Sequence, residues 1–417
     1  MSTGEKMNKQ LQPFLVNLGL VCGSLIFGIF VGEIGLRLAG IEAPLPPDPE
    51  SETLAYRVDD PYRGWAPRAN AVTVWAGEGE RTGVQMNSSG MRDKERSVNK
   101  PENTYRIAFL GDSFVEAIHV PLEYTAAAIM EQKLAECSAL KGKNVEVLNF
   151  GVQGYGTAQE LMTLRHHVWQ FSPDLVLLGF YPGNDIRNNY KPLEHDHFRP
   201  YFTLENGEWV IDDSFKQMTQ LERDYYATTR VDYLPRWLLE NSRILQLVRQ
   251  AEATAKRRQF EQDYEQTNIN FYKEPPDKKW EEAWNITEGL ITLIQDEVKA
   301  KGVNFMVFTV SDSYQVHPKP KKREEFMEKH NIQDLFYPDK RIQALGEREG
   351  FTVFRLAEPL QKVAEETGEC LHGFENAYPC EGHWNREGNR VAAELMADQI
   401  CQGITSPQSL KKQNKKP

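Results

Sequence analysis

The sequence predicts an α/β protein with a mostly parallel, doubly wound sheet, preceded by one transmembrane helix. Short apolar runs alternate with helical patterns over residues 104–405, and this rhythm implies βαβ units and therefore parallel strand pairing. The first of these runs, Ile107–Leu110, is apolar throughout, as expected for a strand that is covered on both faces of a sheet. Near the N-terminus, the stretch from Phe14 to Gly32 carries no charged residue.

This uncharged stretch is long enough to cross a hydrocarbon core at about 1.5 Å of helix rise per residue. Lys6 and Lys9 precede it, so the positive-inside rule keeps the N-terminus in the cytoplasm and places the rest of the chain outside. A cleavable signal peptide is the alternative. The run is long for a signal peptide, and no clear small-x-small cleavage site follows it. We therefore expect residues 1–40 to form a cytoplasmic N-terminus and an uncleaved anchor.

The composition bounds the function. The chain has 417 residues, enough for one large domain or two ordinary ones, and a formal net charge of −11. An acidic chain with a pI near 5.5 does not offer a nucleic-acid-binding surface, so no nucleic-acid partner is expected.

Two segments separate the anchor from the main domain. Residues 41–53 include Ala-Pro-Leu-Pro-Pro-Asp-Pro-Glu, which predicts a stiff, extended spacer. Residues 54–100 mix aromatic, glycine and polar residues without a helical period. We interpret residues 41–103 as this spacer followed by a small extended or β preface to the main domain.

The main domain is predicted over residues 104–405. The predicted strands are Ile107–Leu110, Val145–Asn149, Leu175–Phe180, Val303–Val310 and Thr352–Leu356. The predicted helices are Thr125–Ala139, Thr157–Trp169, Glu281–Lys301, Asp339–Glu349 and Asn389–Gln402.

Residues 190–275 interrupt this alternation. They are rich in charges and aromatic residues and show a helical pattern around 235–265, so we expect a largely helical insertion. It forms either a cap over the pocket or a surface excursion. The polar, basic tail at 406–417 is expected to be disordered.

Five cysteines are present, of which Cys22 belongs to the anchor. Cys137, Cys370, Cys380 and Cys401 are an even number in a compartment that we expect to be oxidising. Pairing Cys370 with Cys380 would close a loop, and pairing Cys137 with Cys401 would join two helices. The sequence leaves three pairings open, as well as four buried thiols. No CxxC or Cys/His cluster has metal-site spacing, so no metal is predicted.

Chemistry-bearing residues follow the strands. The first strand ends at Gly111, and Asp112-Ser113 come next. Because ligands of open α/β sheets bind outside the carboxyl ends of the strands, Ser113 is expected at the mouth of a pocket. There it could be a nucleophile if a base takes its proton, and His383, in a late Glu-Gly-His-Trp-Asn segment, is the candidate base. The alternative is that Asp112 and Ser113 only cap a helix.

Two more loops supply candidate oxyanion donors. One contains Gly151, in Asn-Phe-Gly-Val-Gln-Gly-Tyr-Gly, and the other contains Asn184, in Pro-Gly-Asn-Asp. The backbone N–H groups of Gly151 and Ser113 and the side-chain amide of Asn184 are suitable donor types. Taken singly, each segment is an ordinary turn. The glycine spacing is not GxGxxG, so no dinucleotide cofactor is expected.

Together, Gly-Asp-Ser, the glycine loop, Pro-Gly-Asn-Asp and a late histidine resemble the SGNH (GDSL-like) hydrolase superfamily, in the order of that family and over roughly residues 104–402. The resemblance implies a flavodoxin-like three-layer α/β/α fold and acyl-ester hydrolysis or acyl transfer without a cofactor. By position it implies that Ser113 is the nucleophile, Gly151 and Asn184 are oxyanion donors and His383 is the base.

One feature departs from the family pattern. The family usually places an aspartate two or three residues before the histidine, where this chain has Cys380 and Glu381. Glu381 is the expected partner of the imidazole, with a backbone carbonyl as the alternative. Asp112 and Asp185 are expected to brace their loops rather than transfer protons.

These features predict a membrane-anchored serine ester hydrolase whose catalytic domain lies outside the cytoplasmic membrane. Location and family suggest an acyl substrate, in particular an O-acetyl ester of a cell-envelope glycan. The His-Trp-Asn context is also similar to SGNH-type proteins that O-acetylate exported polysaccharides, so a polysaccharide O-acetyltransferase is one alternative. A non-catalytic binding or scaffold protein of the same fold is the other.

Overall fold

The computed structural model describes residues 3–41, 56–75, 77–218, 234–252, 255, 269–377 and 379–405. The predicted tail, nearly all of the predicted spacer and much of the predicted insertion lie outside these residues. The chain divides into two compact units, residues 1–48 with 220–264 and residues 49–219 with 265–417. We describe each unit by itself.

The first unit contains α1 (Thr3–Leu38), and its stretch Gly19–Leu38 has a mean hydropathy of 2.0 over 20 residues. By length and composition this apolar helix could cross a membrane, and a signal sequence has the same features. Glu33 on α1 accepts hydrogen bonds from the backbone N–H groups of Arg243 at 3.0 Å and Ile244 at 3.2 Å. It thereby caps the helical residues 243–252.

The second unit begins with two antiparallel hairpins from the preface. Strand β1 (Arg57–Asp60) pairs with β2 (Gly64–Pro67), and β3 (Val72–Trp75) pairs with β4 (Thr82–Gln85). The turn between β3 and β4 carries a side chain of the site described below.

The remaining elements of this unit alternate as predicted. The central strands are β5 (Thr104–Gly111), β6 (Asn144–Asn149), β7 (Leu175–Phe180), β10 (Asn304–Thr309) and β11 (Thr352–Arg355), with a separate hairpin of β8 (Tyr201–Glu205) and β9 (Glu208–Asp212). The helices up to β8 are α2 (Ser113–Glu116), α3 (Ala126–Ala135), α4 (Thr157–His166) and α5 (Asp185–Asn188). In the first unit, α6 (Arg236–Asn241) follows, and the second unit then continues with α7 (Lys278–Ala300), α8 (Pro320–His330), α9 (Tyr337–Glu349), α10 (Ala357–Thr367) and α11 (Arg386–Thr405).

The five central strands form one parallel sheet in the order β11-β10-β7-β5-β6. Counted from β5 as the first strand, this is the order 2-1-3-4-5 of flavodoxin-like folds. The strand order reverses between β5 and β7, so a crevice is expected at their carboxyl ends. The predicted doubly wound α/β fold is confirmed.

Helices cover both faces of the sheet. On β5, the side chains of Ala108 and Leu110 join a core with α4, α7 and α9, whereas Ile107 and Phe109 join a core with α3, α10 and α11. This alternation with a period of two along the apolar run Ile107–Leu110 gives the three-layer arrangement.

The structure also contains elements that the sequence reading missed. Helices α8 and α10 were not predicted, and the insertion predicted as largely helical contains the hairpin of β8 and β9. Its turn is Asn206-Gly207, with φ values of 52° and 85°. Asn-Gly favours two-residue hairpin turns because both positions need positive φ, and the charge content of the segment masked this signal.

Of the three open cysteine pairings, the structure has Cys137 with Cys401 and Cys370 with Cys380. The first disulfide joins residues next to α3 and within α11, 264 positions apart, and the second closes a short loop just before His383.

Candidate active site

Ser113 lies where β5 ends and α2 begins. Gly111 has a φ of +159°, and a Cβ atom there would collide with the side chain of Val115. Asp112 caps α2 by accepting a hydrogen bond from the N–H of Phe114 at 2.9 Å. Asp112 therefore caps the helix, as one of the two alternatives predicted, while Ser113 follows the end of the strand, as the other predicted. Ser113 is the first residue of α2 and is 5% exposed.

His383 reaches Ser113 from the loop that precedes α11. Its Nε2 lies 2.8 Å from the Ser113 hydroxyl, although the residues are 270 positions apart in sequence. The structure thus brings together the predicted nucleophile and the predicted base at hydrogen-bonding distance.

The other ring nitrogen of His383 faces Glu78, in the turn between β3 and β4. Nδ1 lies 2.8 Å from one carboxylate oxygen, and the backbone N–H of His383 donates to the other oxygen, also at 2.8 Å. An ionised carboxylate only accepts, so Nδ1 carries the proton and Nε2 presents its lone pair to Ser113. Burial opposes ionisation of Glu78, but these two hydrogen bonds and the nearby His383 hold the pKa of its carboxyl below the ordinary value.

The expected role of Glu381 is therefore wrong. Its carboxylate faces the hydroxyl of Tyr314 at 3.5 Å, while Glu78 occupies the Nδ1 side of His383. The reason is the turn at Gly382, which has a φ of +80° and where an added Cβ would collide with the Glu78 carboxylate. Glu78 and His383 are 305 positions apart, and no local spacing in the preface indicated this pairing.

The turn that carries Glu78 is held by Asn376. The side-chain amide of Asn376 donates to the carbonyl of Gly77 at 2.9 Å and accepts from the N–H of Gly79 at 3.2 Å. These are the two residues that flank Glu78. Because Asn376 lies within the loop closed by the Cys370–Cys380 disulfide, this loop supports the carboxylate as well as the histidine that follows it.

A second serine–histidine pair fixes the backbone just before His383. The hydroxyl of Ser311 lies 3.0 Å from Nε2 of His372, whose Nδ1 donates to the carbonyl of Gly382 at 2.6 Å. Both residues are buried, and burial lowers the pKa of His372 to about 4. Since Ser311 also receives a hydrogen bond from the indole of Trp384 and is inaccessible, this pair supports the loop and offers no nucleophile.

Two predicted oxyanion donors are available. The N–H of Ser113 begins α2 and has no hydrogen-bond partner among the described residues, as is usual in a first helical turn. The amide nitrogen of Asn184 donates to Asp112 at 2.7 Å, and an amide nitrogen carries a second hydrogen. Asp112 thus orients Asn184.

The prediction that the backbone N–H of Gly151 is an oxyanion donor is wrong. Its N–H already donates to the side chain of Asn149 at 2.9 Å, and a Cβ at this glycine would collide with the backbone of Glu116. Gly151 therefore allows the loop to pack against α2. In this loop the backbone N–H groups of residues 150–153, 155 and 156 all donate hydrogen bonds. The N–H of Gly154 has no acceptor among the described residues. Gly154 is the candidate donor in this loop, and it lies in the same glycine run.

Buried carboxyl groups lie behind the oxyanion donors. Burial raises the pKa of Asp112 to about 6, against the hydrogen bonds from Phe114 and Asn184. Burial also raises the pKa values of Asp185 and Glu160 well above the ordinary range, and the charges of neighbouring carboxyl groups add to this effect. Asp185 accepts from the N–H of Tyr181 at 2.7 Å. Asp112 and Asp185 therefore brace their loops as predicted.

Among the described residues, Glu78, His119 and His383 form the one group whose ligand atoms lie close enough to consider a metal ion. The two imidazole rings, however, are stacked face to face with centroids 3.8 Å apart and an interplanar angle of 18°. Their in-plane lone pairs run side by side instead of converging on one point. The geometry serves a hydrogen-bonded Ser–His–Glu arrangement better than a metal centre.

Comparisons with known proteins return solved structures only. No protein-family model matches the chain, and no curated protein sequence matches it significantly. An acetyl xylan esterase structure is 12% identical and covers 71% of this chain and 99% of its own, with a TM-score of 0.35. The lipase/acylhydrolase from Enterococcus faecalis is 14% identical, with 72% and 96% covered and a TM-score of 0.35.

A GDSL-like lipase from Bacteroides thetaiotaomicron is 13% identical, with 74% and 93% covered and a TM-score of 0.30. Identities and TM-scores of this size leave the function to be argued from the site of this chain.

Proposed function

We propose that this protein is an SGNH-type serine ester hydrolase that works through an acyl-enzyme on Ser113. The observation that carries the proposal is the continuous hydrogen-bonded chain from the Ser113 hydroxyl through His383 to Glu78. A nucleophile, a base and a carboxylate in this order are the parts that activate a serine. The connected triad favours an enzyme over a non-catalytic scaffold, which has no need of these contacts.

The mechanism follows from the contacts. His383 takes the proton of the Ser113 hydroxyl at Nε2 as the oxygen attacks the ester carbonyl, and Glu78 stabilises the imidazolium that forms. The negative charge on the carbonyl oxygen is met by the N–H of Ser113, the free amide hydrogen of Asn184 and the N–H of Gly154. The imidazolium then protonates the leaving alcohol, and a water activated by His383 releases the acid.

The substrate that we propose is an O-acetyl ester of a cell-envelope glycan, with the enzyme held at the outer face of the cytoplasmic membrane. The apolar helix α1 supports the anchored location. Two disulfides in the second unit support an oxidising compartment, where such bonds persist. If a sugar hydroxyl replaces water at the acyl-enzyme, the same residues perform acetyl transfer.

The test is steady-state hydrolysis of a chromogenic acetyl ester by the full chain in detergent, with Ser113→Ala beside it. We expect turnover by the wild type and a loss of about 10³-fold or more in the variant, because the residual rate then rests on oxyanion stabilisation alone. Adding an oligosaccharide acceptor separates water from a sugar hydroxyl as the acyl acceptor. Equal turnover by both proteins would contradict the proposal.

A further inference from the structure

His119 lies directly against the candidate base and has no part in the chain of hydrogen bonds. Its ring stacks on that of His383 with centroids 3.8 Å apart, and the ring of Phe114 lies 4.9 Å from His383. Both aromatic side chains come from the segment that follows Ser113. The nucleophile's own segment therefore contacts the edge of the imidazole through Ser113 and its face through His119.

The second contact of His119 is with the turn that carries Glu78. The backbone carbonyl of His119 accepts a hydrogen bond from the N–H of Glu80 at 2.9 Å. Gly79, with a φ of +112°, packs so closely that an added Cβ would lie 2.7 Å from the His119 Cα. The ring also makes an edge contact with Trp75 at 5.7 Å. His119 is thus a junction between the segment of Ser113, the ring of His383 and the turn of Glu78.

His119 is held in its neutral form. It is 2% exposed, and burial lowers its pKa well below the ordinary value, with the nearby His383 and Arg92 acting in the same direction. Among the described residues neither ring nitrogen has a hydrogen-bond partner. A neutral, buried imidazole ring does not repel a positively charged neighbour, and its flat face can attract a cation such as an imidazolium.

We propose that His119 is a positioning residue for His383, acting through its ring face, and that it keeps the imidazole aligned between Ser113 and Glu78 while the imidazolium forms. This inference rests on the proposed function. It goes beyond it by assigning a role to a residue that neither attacks, transfers a proton nor binds the oxyanion. A displacement of the His383 ring by about 1 Å can lower the catalytic rate about a hundredfold, so we expect loss of the stacking contact to lower kcat measurably.

The experiment compares His119→Ala and His119→Phe with the wild type for acetyl-ester turnover, for the rate at which a fluorophosphonate labels Ser113, and for thermal stability. We expect His119→Ala to lower kcat by about 10–100-fold with little change in KM, because alignment of the base affects the chemical step. His119→Phe keeps an aromatic face and should recover kcat to within about 5-fold of the wild type.

The matched control is His166→Ala. His166 stacks on Tyr62 with centroids 3.6 Å apart, at the end of α4 that lies away from the site, and its loss should leave kcat unchanged. If His119→Ala does not fold, His119→Gln replaces it, since it also removes the ring.

Three outcomes would overturn the inference. Wild-type kcat in the folded variant without a ring at position 119 excludes a positioning role. Equal losses in that variant and in folded His119→Phe show that a nitrogen, and not the ring face, matters. If the wild-type protein neither reacts with the fluorophosphonate at Ser113 nor turns over the ester, the proposed function fails and this inference fails with it. If the wild type is active but the variants behave as in the first two outcomes, only the inference fails.

Discussion

Replacing Glu78 by Gln is the sharpest perturbation of the site. Both oxygens of Glu78 accept from His383, one from Nδ1–H and one from the backbone N–H, each at 2.8 Å. A glutamine offers one acceptor oxygen and one NH₂ group, so one of these two donors must face another donor. Either the backbone N–H of His383 loses its acceptor, or Nδ1 of the ring loses its acceptor. In the second case the other tautomer, with the proton on Nε2, is favoured, and Nε2 can no longer accept the proton of Ser113. We expect kcat to fall by about 10²–10⁴-fold, or about 3–5 kcal/mol of transition-state stabilisation.

The assay is acetyl-ester turnover, with Glu381→Gln as the matched control. That variant makes the same chemical change in a carboxylate that is close in sequence to His383 but faces the hydroxyl of Tyr314 at 3.5 Å, while Glu78 holds Nδ1 of the imidazole. It should retain kcat within about 3-fold, as an exposed substitution usually does. The reasoning is refuted if Glu381→Gln reduces kcat strongly while Glu78→Gln, correctly folded, does not.

Three further predictions follow from the surroundings of the site. Asn376→Ala removes two partly exposed hydrogen bonds that hold the turn of Glu78, so kcat should fall about 3–10-fold in the turnover assay, and an unchanged kcat would contradict this role. Burial and the charges of Asp185 and Asp112 raise the folded-state pKa of Glu160 well above its ordinary value of 4.5, so stability falls as pH rises from 4.5 towards that folded-state pKa. Glu160→Gln cannot titrate, and thermal melts between pH 6 and 9 should show a smaller loss of stability than the wild type; identical pH dependence would argue against a protonated Glu160. Replacing Cys137 and Cys401 by serine should lower the free energy of unfolding by about 2–5 kcal/mol in denaturant titrations while leaving kcat within about 2-fold, because this bond closes a very long loop away from the triad.

Local patterns were sufficient to predict the sheet and three residues of the site. The five predicted runs became the five parallel strands, and the polar segments that begin at Asp112 and Asn184 lie beyond the carboxyl ends of β5 and β7. Ser113, His383 and Asn184 could be found because each lies next to a turn that ends a strand or begins a helix. The hydrogen bond between Ser113 and His383 joins the carboxyl end of β5 to the loop that precedes α11.

Glu78 could not be found in this way. It lies in a hairpin turn outside the alternating domain, and its contact with His383 depends on where that hairpin packs, which no periodicity encodes. The nearest carboxylate in sequence, Glu381, was the natural expectation, but the backbone turn at Gly382 opens the Nδ1 side to a distant segment. The assignment of Gly151 failed for a similar reason, because its N–H is taken by a side chain, Asn149, at 2.9 Å.

The most direct test of the central claim is covalent labelling of the full chain with a fluorophosphonate, located by peptide mass spectrometry. We expect the label on Ser113, and we expect His383→Ala and Glu78→Gln, both folded, to slow its attachment strongly. Labelling at another serine, or labelling of Ser113 at the wild-type rate in both variants, would contradict an activated Ser113–His383–Glu78 triad.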